Sequence, residues 1–129
     1  GIYCRFINEE LGRFAERLKD TPEPGGEGNM LDNTALLFGS ASSAFHLSRN
    51  YPLLLMGGRN MGFKHAQYLK YGQGNDKHQA TAGISTDAGW RAEMNYSELP
   101  LSNLYLTMLH KLGVETERFA GSTKTLSEV

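Results

Sequence analysis

Two short apolar runs constrain the fold of this chain more than any other feature. Leu36–Phe38 and Leu53–Met56 are each bounded by polar or turn-forming residues, and neither alternates with a period of two. Short runs without alternation are typical of strands buried on both faces, as in a parallel sheet. We therefore predict buried strands at 34–39 and 52–57. Pro52 would take the first position of the second strand, where its missing N–H costs least.

Two helices and a third strand complete the predicted fold. Apolar residues recur at helical spacing over 3–18 and, most clearly, over 101–112. Thr21-Pro22 would end the first helix, and Gly113 would cap the second. Alternation over 63–71 predicts a strand. The order helix, strand, strand, strand, helix therefore predicts an α/β fold in which helices flank a small, mainly parallel sheet.

Length and composition bound what the chain can be. Its 129 residues, 40% of them hydrophobic, suit a single domain over 1–129 with one modest core. A net charge of −1 gives no push toward nucleic acid, and no apolar run is long enough to span a membrane. The single cysteine, Cys4, excludes an internal disulfide and a cysteine-rich zinc site. Residues 72–97 lack a sustained period, which predicts a long loop or insertion.

The middle of the chain is locally cationic. Residues 46–78 carry five Lys or Arg side chains against one acidic residue, and three of the four histidines. Arg59 and Lys64 follow the turn that Gly57-Gly58 would make out of a strand, so we predict them as anion-binding residues. A P-loop is excluded because Phe63 follows Gly62 where that motif requires lysine. An ordinary solvated basic surface is the alternative.

His46 is the first candidate metal ligand, and His65 is the second. A catalytic zinc site takes about three protein ligands. The loop from Ser40 to Asn50 contains no carboxylate or thiolate, so further ligands would have to come from elsewhere. A structural or solvent-exposed histidine is the alternative. The serines of this loop do not form a G-x-S-x-G elbow and are better interpreted as a tight turn.

Several short motifs together resemble a known family. They are Asp32-Asn33-Thr34, Phe38-Gly39-Ser40, His46, Asn50-Tyr51-Pro52, Gly57-Gly58, Lys64-His65, Leu101–Tyr105 and Arg118–Thr123. In this combination, the chain resembles the C-terminal part of the HXXSHH family of bacterial proteins of unknown function (DUF1552). The resemblance covers nearly all of this chain but only the last part of a typical family member.

The resemblance implies a distant relation to the alkaline phosphatase and sulfatase superfamily. The chain would then be the C-terminal fragment of a longer, exported, extracytoplasmic hydrolase, folded like the C-terminal portion of an alkaline phosphatase. It would be inactive alone, because the missing N-terminal part would carry the nucleophile and further ligands of a divalent metal such as zinc. A non-enzymatic exported structural or binding module is the alternative, because Ala41–Ala44 replace the expected acidic ligand.

The predicted fold also predicts partners. A parallel sheet is normally covered on both faces, and this chain has few helices with which to do so. We therefore expect exposed apolar surface, with either self-association into a homo-oligomer or binding to the missing N-terminal part. We expect neither nucleic acid nor a membrane as a partner.

Overall fold

The computed structural model describes residues 1–40, 52–71 and 99–129. Its elements are α1 (Ile2–Asp20), a 3₁₀ turn (Met30–Asn33), β1 (Ala35–Gly39), β2 (Leu53–Gly57), a second 3₁₀ turn (Arg59–Met61) and α2 (Ser102–Lys111). Within these three segments, no helix is long and apolar enough to cross a bilayer.

The first helix ends where the sequence predicts. Thr21 has an extended backbone, with φ −100° and ψ 117°, and its hydroxyl donates to the Arg17 carbonyl at 2.6 Å. Pro22 then prevents the helix from continuing, because proline disfavours helical geometry at the residue before it. The chain turns back at once, since the Met30 N–H donates to the Thr21 carbonyl at 2.9 Å.

The prediction of a mainly parallel sheet is wrong. β1 and β2 pair antiparallel, with Leu37 opposite Leu55, and form a two-stranded sheet, the one sheet in the described residues. On one face, Ala35 and Leu55 pack against the core. The other face carries further apolar side chains, among them the half-exposed Leu54. Apolar residues on both faces remove the alternation, so its absence did not indicate a parallel sheet.

The predicted strand at 63–71 is also absent from the structure. Phe63 is buried, but the residues after it are exposed. Ala66 has a φ of 60°, which breaks an extended backbone. The segment instead runs beside residues 127–129, where the Lys64 N–H donates to the Val129 carbonyl at 2.7 Å.

The end of α2 follows its sequence signals closely. Gly113 has a φ of 80°, a left-handed conformation that glycine adopts without a steric penalty. Its N–H donates to the His110 carbonyl, and the Val114 N–H donates to the Leu109 carbonyl. This pair of hydrogen bonds is the Schellman motif, which satisfies carbonyls at the helix end. The predicted glycine cap is therefore confirmed.

The core lies between α2, the sheet and the C-terminal segment. Phe63, Leu126 and Val129 form its buried centre, with Ala35, Leu55, Met61, Leu104 and Met108 packed around them. Residues 114–129 are mostly polar, so their composition does not indicate a part of the core. Val114 and Phe119 are indeed almost half exposed, but Leu126 and Val129 are buried.

Two polar side chains of α2 hold the C-terminal segment in place. Asn103, only 1% exposed, accepts hydrogen bonds at Oδ1 from the N–H groups of Thr123 at 2.8 Å and Lys124 at 3.4 Å. Thr107 accepts from the Leu126 N–H at 2.8 Å. Buried donors without a partner are costly, so these contacts fix where the segment lies.

Candidate functional site

His65 lies beside the end of β2, where its ring contacts the backbone. Its Nε2 is 2.6 Å from the Gly57 carbonyl oxygen. A carbonyl can only accept a hydrogen bond, so Nε2 carries the proton and Nδ1 keeps its lone pair in the neutral ring. A histidine that ligates a metal often donates its other N–H to a carbonyl in this way. His65 therefore retains one atom with which it could ligate a metal.

The two glycines before the predicted anion site make the turn that the sequence indicates. Gly57 and Gly58 have φ values of 73° and 70°, so both occupy the left-handed region. A Cβ atom at Gly57 would collide with the Thr34 carbonyl oxygen. The turn places Arg59 in the second 3₁₀ turn, with its side chain exposed.

Lys64, the second predicted anion-binding residue, contacts the backbone. Its Nζ donates to the Ser127 carbonyl at 2.7 Å, so this ammonium already has a backbone partner. A second lysine, Lys111, is used in a similar way. Its Nζ donates to the Gly62 carbonyl at 2.5 Å and lies 5.2 Å from the centre of the Phe63 ring. Both cations therefore stabilise backbone turns, and anion binding by Arg59 and Lys64 stays a prediction.

The described residues do not form a metal centre by themselves. No cluster of three or more His, Cys, Asp or Glu side chains occurs in segments 1–40, 52–71 and 99–129. His46 lies outside the described residues, as does the predicted loop at 72–97. His65 alone cannot supply the three ligands of a zinc site, so the described residues do not fit a bound zinc ion.

α1 presents an exposed aromatic face. Tyr3, Phe6 and Phe14 lie on one side of the helix and are 76%, 57% and 49% exposed. No residue of α1 is buried. The helix contacts the first 3₁₀ turn, Met30–Asn33, close to its own C-terminal end. This amphipathic helix therefore leaves large apolar side chains exposed to solvent.

Tyr71 and Glu128 form a hydrogen-bonded pair at the edge of the core. The Tyr71 hydroxyl donates to Glu128 Oε1 at 2.8 Å. Burial, together with this hydrogen bond and the carboxylate charge, raises the pKa of Tyr71. A backbone hydrogen bond at Glu128 and then the Tyr71 hydroxyl lower the pKa of Glu128. The pair lies beside Gln67, whose amide donates to the Glu128 carbonyl at 2.6 Å, so it serves to fasten the segment 126–129.

Comparisons with known proteins supply no relative for this chain. No family model matches it, and neither the curated proteins nor the solved structures contain a match. The resemblance to the HXXSHH family, and the hydrolase relation that it implies, therefore stay predictions.

Proposed function

We propose that the chain is a non-catalytic C-terminal piece of a phosphatase- or sulfatase-like hydrolase, and that it binds the remainder of that protein through α1. The aromatic face of α1 is the observation that carries the proposal. Soluble monomers rarely leave contiguous apolar surface uncovered without a use for it. Extracytoplasmic localisation is part of the same proposal and rests on the resemblance.

The proposal explains why α1 is amphipathic but unburied. Its polar side carries solvent-exposed ion pairs, such as the one between Arg5 Nε and Glu9 Oε1 at 2.7 Å. Surface pairs of this kind contribute little stability. The apolar side would gain far more from a partner, because burying a large side chain is worth about 1.5–3 kcal/mol. A partner surface for α1 should therefore be apolar at its centre.

A binding experiment tests the docking role. A member of the HXXSHH family, truncated before the segment that matches this chain, is mixed with the purified chain and passed over a size-exclusion column. Phe14→Glu should abolish co-elution because it places a charge in the apolar contact. Glu16→Gln, on the polar side of α1, is the matched control and should co-elute like the unaltered chain. Equal co-elution of both variants would contradict the role of α1.

An activity screen tests the non-catalytic role. The chain alone is assayed with p-nitrophenyl phosphate and p-nitrophenyl sulfate, with zinc added. We expect no hydrolysis above that of the His65→Ala variant. Hydrolysis that His65→Ala abolishes would show instead that the chain is an enzyme by itself.

A metal-binding role is the second candidate, and the free Nδ1 of His65 favours it. The site would need His46 or other ligands from outside the described residues. Elemental analysis after dialysis without chelator tests this role. Stoichiometric zinc that is lost in both His46→Ala and His65→Ala would support a shared site. A metal-free chain would leave His65 as a residue that caps the end of β2.

A further inference from the structure

The outer backbone edge of β1 is a second candidate interaction surface. One hydrogen bond shows which backbone groups of β1 point away from β2. The Ser40 N–H donates to the Pro52 carbonyl, and these residues are opposite each other when the β1–β2 register is extended by one pair. Opposed residues in an antiparallel pair alternate between bonded and non-bonded. The bonded pairs therefore contain Phe38 with Leu54 and Leu36 with Met56. The N–H and C=O groups of Ala35, Leu37 and Gly39 point away from β2.

The outer edges of the two strands differ. On β2, the outward carbonyl of Gly57 accepts the His65 hydrogen bond at 2.6 Å, as the alternation requires. On β1, no described residue bonds to the outward N–H or C=O of Leu37. β1 also lacks the usual protections of an edge strand, since it contains no charged residue and no proline.

We propose that a second copy of this chain pairs with β1 edge to edge, so that the two sheets join into one antiparallel sheet with strand order β2–β1–β1–β2. The two-fold axis passes through Leu37. Ala35 of one copy lies opposite Gly39 of the other, and each opposed pair of outward residues exchanges two hydrogen bonds. Such an interface is isologous and closes as a dimer.

The side chains of β1 favour this occupant. On one face of the joined sheet, Leu36 packs against Phe38 of the second copy. On the other face, Leu37 packs against Leu37 of the second copy. Every cross-strand pair is apolar or involves glycine, so no like charges are opposed and no charge is buried. The pairing uses no residue of α1. It therefore stands independently of the proposed docking of α1.

Two proline variants of adjacent residues test the pairing. Leu37→Pro removes only an outward N–H, and proline is tolerated on an edge strand in that orientation. Leu36→Pro removes an inward N–H that bonds to β2, and it should disrupt the sheet itself. In light scattering, the unaltered chain should approach twice its mass of 14.3 kDa as concentration rises. We expect Leu37→Pro to keep the circular dichroism spectrum of the unaltered chain. It should dimerise about 10- to 100-fold more weakly, because the two-fold symmetry removes one hydrogen bond from each of the two copies.

Hydrogen exchange on the unaltered protein gives a second test that does not depend on how the variants fold. The amide of Leu37 should become protected as concentration rises, whereas the amide of Phe38, bonded to β2, should be protected at every concentration. A chain that stays monomeric, or a Leu37 amide whose exchange is independent of concentration, would overturn the proposal. An assembly that survives Leu37→Pro but is lost in Phe14→Glu would overturn it too, and would assign the contact to α1.

Discussion

Asn103 is the side chain whose removal should reveal most about how the C-terminal segment is held. It is 1% exposed, and its Oδ1 accepts from the backbone N–H groups of Thr123 and Lys124. Its Nδ2 donates to Thr123 Oγ1 at 3.3 Å. Asn103→Ala therefore leaves two backbone donors without an acceptor and opens a small cavity beneath them.

The expected loss of stability follows from these contacts. An unpaired buried donor costs about 1–3 kcal/mol, and the lower end applies here because Thr123 and Lys124 are themselves exposed. With the cavity added, we expect Asn103→Ala to lower the free energy of unfolding by about 2–4 kcal/mol. That is a large part of the 5–15 kcal/mol typical of a whole domain.

Urea denaturation followed by circular dichroism measures this change, with the slope against urea expected to stay constant. Asn60→Ala is the matched control. Asn60 also donates through its amide, to the Glu27 carbonyl and Asn33 Oδ1, but it is exposed, so water can replace both partners. Its loss should cost less than about 1 kcal/mol. Equal losses in the two variants would refute the argument that burial makes the Asn103 contacts important.

Three further predictions concern a pH-dependent pair, a glycine in the left-handed region and a glycine within a helix. Tyr71→Phe should cost about 1 kcal/mol at neutral pH. In the unaltered chain, the free energy of unfolding should fall as pH drops through the lowered pKa of Glu128, and again as pH rises through the raised pKa of Tyr71. Both losses should be smaller in Tyr71→Phe, as urea denaturation at a series of pH values would show. Gly57→Ala should destabilise by about 2 kcal/mol or more, because φ is 73° and the Cβ atom would meet Thr34. Gly12→Ala, in the open middle of α1, should instead raise the thermal midpoint, since alanine is about 0.5–1 kcal/mol better than glycine in a helix.

The parts of the fold that depend on local chemistry could be predicted from the sequence. Pro22 ends α1, Gly113 caps α2, and Gly57-Gly58 turn the chain out of β2, as expected. Each of these outcomes is decided by the backbone preferences of one or two residues, which act without reference to the rest of the chain.

The direction of the strands and the position of the core depend on distant partners. The strand direction was predicted wrongly. Nothing within Leu53–Met56 tells whether the strand runs with or against β1. Leu126 and Val129 stand among polar residues, so the composition of their segment does not indicate burial. They are buried because Asn103 and Thr107 accept hydrogen bonds from the backbone of their segment. No local sequence pattern indicates that an asparagine will be buried in this role.

In the candidate site, too, the contacts with distant backbone groups could not be predicted from the sequence. The metal-binding role of His65 and the anion-binding role of Lys64 stay predictions. In the structure, the side chains of these residues contact the backbone carbonyls of Gly57 and Ser127. Carbonyl oxygens carry no side-chain signature, so the sequence could not reveal that Lys64 is already engaged. The assignment of His46 stays a prediction.

The fastening of residues 126–129 has a consequence for how the chain reaches its folded state. The side chains of Lys64, Gln67 and Tyr71 bond to residues that lie 63, 61 and 57 positions later. α1 and the turns can form locally, but the core must wait for this long loop to close, and loop closure of this kind slows folding. While the chain is being synthesised, Phe63 would emerge long before Leu126 and Val129, the residues that cover it. A nascent chain would expose that ring throughout this interval, and exposed apolar surface of this kind favours aggregation.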